Sequence, residues 1–110
     1  MNQITTDNIM KLQDEGVRNL YVRWSRGPEF DTEPSRDYAN GGAHAGHSAV
    51  WIDYWERQIM VKRIKEYEFL RIKDANICAY IYQADEIGKD SDRYSSINVG
   101  SKCLGKWVEE

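Results

Sequence analysis

Three arginines and two serines fall within 16 residues, in Arg23-Trp24-Ser25-Arg26-Gly27-Pro28 and then Ser35-Arg36-Asp37-Tyr38. Arginine presents a planar fork of N–H donors that matches phosphate or carboxylate oxygens. Serine hydroxyls and unpaired backbone N–H groups of a glycine-bearing turn add further donors. Tyr21, Trp24 or Tyr38 offers a ring on which a base or sugar could stack. The chemistry this set suits is the capture of an anion, above all a phosphate. A plainer reading pairs the arginines with Glu29, Asp31, Glu33 and Asp37 as a solvated charged stretch.

A second group follows at Gly41-Gly42-Ala43-His44-Ala45-Gly46-His47-Ser48. Small residues leading into a helix N-terminus leave unpaired N–H groups pointing at an anion. The run is not a Walker A loop, because no Gly-Lys-Ser/Thr follows, and it is not a dinucleotide fingerprint. His44 and His47 stand three apart with no cysteine near, and no metal-ligand spacing is complete. These histidines are expected to bond the loop backbone or to touch a ligand phosphate. No nucleophile elbow is present, and no residue is singled out as catalytic. The candidate ligand-binding set is therefore Arg23, Trp24, Ser25, Arg26, Arg36, Tyr38, His44, His47 and Ser48, with neither metal nor cofactor called for.

Elements must position these groups. Thr5-Thr6-Asp7 supplies N-cap side chains for a short helix that Gly16 can end in a left-handed conformation. Asn19 to Ser25 alternates as a strand, with Leu20, Val22 and Trp24 on one face and Tyr21, Arg23 and Ser25 on the other. Residues 26 to 48 show no period and hold both prolines, both histidines and four of the eight glycines. A connection of that length in a small domain is generally functional or disordered. From Ser48 to about Lys73 the residues Ile52, Trp55, Ile59, Met60, Ile64, Tyr67 and Leu70 recur at helical steps and predict one long helix. Its other side is charged, a solvated face or a basic surface for an anionic partner. Asp74-Ala75-Asn76 reads as a turn and Ile77 to Ala84 as a strand rich in Ile and Tyr. A charged turn at Gly88 to Asp92 and short strands at Ser95 to Val99 and Cys103 to Val108 complete the chain. The expectation is an α+β fold: a small mixed or antiparallel sheet of about four strands with one short and one long helix packed on it.

The chain has 110 residues, 41% of them apolar and 12% aromatic, which suits a single domain over residues 1 to 110 with a real core. A net charge of −3 with mixed signs argues against a dedicated binder of duplex nucleic acid. No apolar run approaches the ~20 residues of a membrane span, and the N-terminus lacks a signal pattern, so a cytoplasmic location without membrane contact is expected. Cys78 and Cys103 are expected to be buried and reduced. Trp51, Tyr54 and Trp55 fall on two sides of the anticipated helix, which leaves aromatic surface for a homodimer.

The stretch Leu20-Tyr21-Val22-Arg23-Trp24-Ser25-Arg26-Gly27-Pro28 resembles that of a family of small bacterial proteins of unknown function. The likeness continues through Ala45-Gly46-His47-Ser48, Gly88-Lys89-Asp90-Ser91-Asp92 and Leu104 to Val108. The order of a strand arginine, a Gly-x-Ser and a long helix is also similar to a reduced ADP-ribosyltransferase core. That resemblance implies that Arg23 and Ser48 hold NAD, with Glu86 or Asp92 at the position of the catalytic acid. The leading expectation is a protein that binds a phosphate-bearing small ligand such as a nucleotide, ADP-ribose or NAD, sequestering a signalling nucleotide. One alternative is a protein-interaction module or inhibitor of the phage counter-defence type, using Lys62, Arg63 and an exposed Trp51 and no small ligand. A second is an ADP-ribosyl or NAD-consuming enzyme using Glu86, or a hydrolase using His44 or His47.

Overall fold

The computed structural model describes residues 2–31, 49–52, 55–84 and 101–109. Along the chain these form β1 (Gln3–Thr5), α1 (Thr6–Asp14), β2 (Leu20–Ser25), β3 (Ala49–Trp51), α2 (Arg57–Lys65), α3 (Phe69–Lys73), β4 (Cys78–Gln83) and β5 (Lys102–Val108). The expected α+β class holds. The sheet is mixed, with five strands in the order β1-β5-β4-β2-β3.

Local chemistry explains most boundaries. Thr5 caps α1: its hydroxyl accepts from the Asn8 N–H at 3.1 Å, while its own N–H donates to Asn8 Oδ1 at 3.0 Å. Gly16, at φ +94°, ends the turn after α1, and Arg18 donates to the carbonyl of Gln13 at 2.8 Å. β2 pairs antiparallel with both β3 and β4, and β1 runs parallel to β5. In the β4–β5 ladder Ile81 faces Gly105 while Tyr82 faces Cys103, so Leu104 is an extra, bulged residue. Glycine is required at 105 because a Cβ there would lie 3.0 Å from the Asn2 carbonyl oxygen, which accepts the Lys106 N–H.

The two faces of the sheet bury different chemistry. Leu20, Val22, Trp24, Ala79, Ile81 and Trp107 pack beneath the helices against Ile9, Met60, Ile64 and Leu70. Buried indoles on this side are satisfied: Trp24 donates to the Ile64 carbonyl at 3.2 Å and Trp107 to Thr6 Oγ1 at 2.9 Å. Tyr21, Trp51, Tyr80 and Tyr82 gather on the opposite face with Cys78 and Cys103.

Three expectations need correction. The helix does not begin at Ser48. Ala49–Trp51 is instead a strand whose residues face Arg23, Val22 and Tyr21 of β2, and α2 starts only at Arg57. Ile52 and Trp55 matched the helical step by coincidence, while pairing with β2 satisfied the backbone of a short β-branched and aromatic run. Ile59 accordingly lies exposed. Trp51, expected at the surface, is only 6% exposed, because strand alternation sends it edge-on against Tyr21 at 5.6 Å. The helical path also tightens at residues 66–68, where Glu68 donates to the Lys65 carbonyl and Arg71 to that of Glu68. That tightening keeps Tyr67 and Leu70 against the core.

Both cysteines are free and half-buried. Cys103 stands opposite Tyr82, four residues along β4 from Cys78. That is roughly 13 Å of strand, too far for a disulfide. The segments 85–100 and 32–48, with the expected turn at 88–92 and strand at 95–99, lie outside the described residues. Among the described residues no helix is long and apolar enough to cross a membrane.

Candidate functional site

β2 sends Tyr21, Arg23 and Ser25 to the face away from the helices, and β4 sends Tyr80 and Tyr82 to the same face, with Tyr21 opposite Tyr82 and Arg23 opposite Tyr80. The chain then turns back at once. Gly27, at φ +128°, lies so close to Tyr80 that a Cβ would meet its hydroxyl at 3.3 Å. Phe30 N–H donates to the Gly27 carbonyl and Asp31 N–H to that of Pro28, two successive turns that bring Asp31 over the sheet.

Asp31 is the hub. Its Oδ2 accepts the Ser25 hydroxyl at 2.8 Å and also the Tyr82 hydroxyl. Its Oδ1 lies 3.4 Å from Arg23 Nε. Both side chains are almost wholly enclosed, Arg23 at 7% exposure and Asp31 at 4%. Ser25 also accepts the Gly27 N–H at 3.2 Å, which ties the turn to the strand.

The guanidinium is incompletely satisfied. Among the described residues neither Nε nor Nη1 of Arg23 has a hydrogen-bond partner, although both atoms are buried. An ion pair at 3.4 Å neutralises charge without giving those N–H groups an acceptor. A buried cation with open donors is an expensive arrangement, and an incoming oxygen anion is the group that relieves it.

The surrounding titratable groups are held in their neutral forms. Burial pushes the Tyr21 phenol up to about 12, despite a hydrogen bond with Ser101 and the nearby Arg23 charge. Tyr82 is raised first by burial and then by its hydrogen bond to Asp31 and that residue's charge. Burial likewise raises Tyr80 and the Cys103 thiol. The face is an array of hydroxyl and N–H groups gathered around the Asp31 carboxyl, and the Cys103 thiol is not activated.

Of the residues the sequence singled out, Arg23 and Ser25 come together here. Trp24 points the other way, buried beneath the helices and stacked on Tyr67 with ring centroids 3.9 Å apart. Arg26 lies at the surface, where Nε and Nη2 both donate to Asp74 Oδ2 at 2.9 and 2.7 Å. Arg36, Tyr38, His44, His47 and Ser48 lie outside the described residues, as do Glu86 and Asp92. The plainer sequence reading set Asp31 among the acids that pair with the arginines, as it does with Arg23, but in a solvated stretch and not an enclosed one, and the sequence reading passed over Tyr80 and Tyr82. Their alternation with Ala79 and Ile81 was the signal that they share one face. Comparisons with protein-family models, curated proteins and solved structures find no match for this chain.

Proposed function

We propose that this protein binds a small phosphate-bearing ligand of the nucleotide, ADP-ribose or NAD type, with Arg23 as the anion anchor. The observation that carries the reading is the buried Arg23 guanidinium with Nε and Nη1 unpartnered among the described residues. Support comes from the tyrosine hydroxyls that share this face, that of Tyr82 donating to Asp31 beside the anchor. The aromatic face formed by Tyr21, Trp51 and Tyr82 supplies ring surface beside the anchor. The reading is one of holding a ligand, and sequestration of a signalling nucleotide is the role it fits.

A thermal-shift screen against NAD, ADP-ribose, cyclic dinucleotides and plain nucleotides, followed by calorimetry, tests it. A ligand present at about 100 times its Kd adds about 2.7 kcal/mol and raises Tm visibly. Arg23→Lys keeps the charge against Asp31 but loses the planar fork, so it should retain the fold and lose the shift. No shift with any compound, or a shift that Arg23→Lys preserves, overturns the proposal.

A further inference from the structure

On the helix side, away from Arg23, a groove of about 260 Å³ runs between the α2–α3 junction and the ends of β4 and β5. Trp24, Tyr67, Ile77 and Val108 give it apolar walls, and its charged lining is Arg71 and Lys106 with Glu68 and Glu109. The surface continues along α3. The Tyr67 ring stacks on Phe69 at 5.9 Å, and one turn further Ile72 is 86% exposed, with Phe69 at 47%. Two large apolar side chains displayed on a helix beside an apolar groove are costly in water unless something covers them.

The charge around this surface is positive. Arg71 and Lys106 on the groove and Lys73 beside it on α3 stand against Glu68 alone once the Lys65–Glu109 pair is set aside, a local excess of positive charge in a chain whose net charge is −3. Glu109, on the groove wall, is already engaged by Lys65 at 2.7 Å. Arg71, Lys73 and Lys106 have no ion-pair partner among the described residues.

We infer that the groove and the α3 face dock an acidic polypeptide segment that inserts one bulky apolar side chain between Tyr67 and Val108. Its carboxylates meet Arg71, Lys73 and Lys106, and its backbone crosses Phe69 and Ile72. A flat bilayer would not fill the groove, and a nucleic-acid backbone offers nothing to Ile72. A small ligand in the groove would leave Phe69 and Ile72 uncovered. The polypeptide segment accounts for the groove, the exposed helix residues and the charge together.

A random-peptide library selected on the full chain, and counter-selected on an Arg71→Glu/Ile72→Ser variant, tests this. Both positions are exposed, so the variant should keep the wild-type circular dichroism and Tm. Expected is enrichment of peptides combining Asp or Glu with Leu, Phe or Trp. Their fluorescence-anisotropy affinity should fall at least about tenfold in the variant and weaken with added salt. Enrichment without an acidic bias, no enrichment, or peptides that bind wild type and variant equally overturns the inference. So does co-sedimentation of the protein with phosphatidylserine vesicles in the absence of peptide selection. Because Arg23 lies on the other face, nucleotide thermal shifts should be unchanged in the same variant, which separates this result from the fate of the proposed anion site.

Discussion

β2 serves two faces with opposite chemistry. On one, Leu20, Val22 and Trp24 meet the helices in a layer whose polar atoms are matched. On the other, one residue out of step, Tyr21, Arg23 and Ser25 build a polar cluster around Asp31 with donors left open. The apolar face contributes stability through area and fit, a non-directional gain that tolerates modest repacking. The polar face depends on a few directed partners, and removing one leaves another buried without it. The proposed ligand site lies on this second face.

The largest effect should come from breaking the hub. Asp31→Ala leaves the Arg23 charge, the Ser25 hydroxyl and the Tyr82 hydroxyl without their common acceptor. Loss of one partner from a buried pair costs about 3–5 kcal/mol, and urea unfolding would read it. A double change of Arg23→Met with Asp31→Leu should recover most of that loss while abolishing ligand-dependent thermal shifts. A double variant no more stable than Asp31→Ala would show that the pair itself holds the face together. On the apolar face Ile81→Ala should cost about 2–5 kcal/mol, with nucleotide affinity unchanged in what remains folded. If ligand affinity collapsed at matched stability, the two faces would not be separable.

Alkali offers a subtler contrast. Burial holds the Tyr21 phenol near 12 against an ordinary value of 10.0. The folded state thus favours the protonated phenol. Its contribution is fully present below pH 10 and is lost as pH rises from about 10 towards 12, an effect of at most about 3 kcal/mol for Tyr21. Tyr82 shifts in the same direction. Tyr21→Phe and Tyr82→Phe should each flatten the fall of stability above pH 10, followed by denaturant midpoints across that range. An unchanged alkaline slope in both variants would place the titration elsewhere.

The smallest expected effect tests the helix-side frame. Thr5→Ala removes the α1 cap and should cost about 1 kcal/mol, read as a modest shift of the urea midpoint with no change in ligand binding.

Much of this architecture was legible in the residues. The alternation of 20–25 announced both faces of β2, because a strand exposes its side chains with a period of two. Thr5 and Gly16 bracketed α1 through local capping, which needs no distant partner. The strand at Ala49–Trp51 was hidden, since three residues are too few to show a period and the helical step of Ile52 and Trp55 ran across them. Only a neighbouring strand with open backbone groups decides such a segment, and β2 provides it.

The amino-acid sequence by itself determined the α+β class, the apolar face of β2 and the presence of Arg23 on its polar face, because local periodicity and capping are encoded within a few residues. Tertiary structure alone decided that Asp31 would turn back onto that face and that Tyr82 would meet it from another strand. Those meetings follow from strand register and the Gly27 turn. They join residues up to 51 positions apart, and no local pattern in the chain records which long-range pairing buries which side chain.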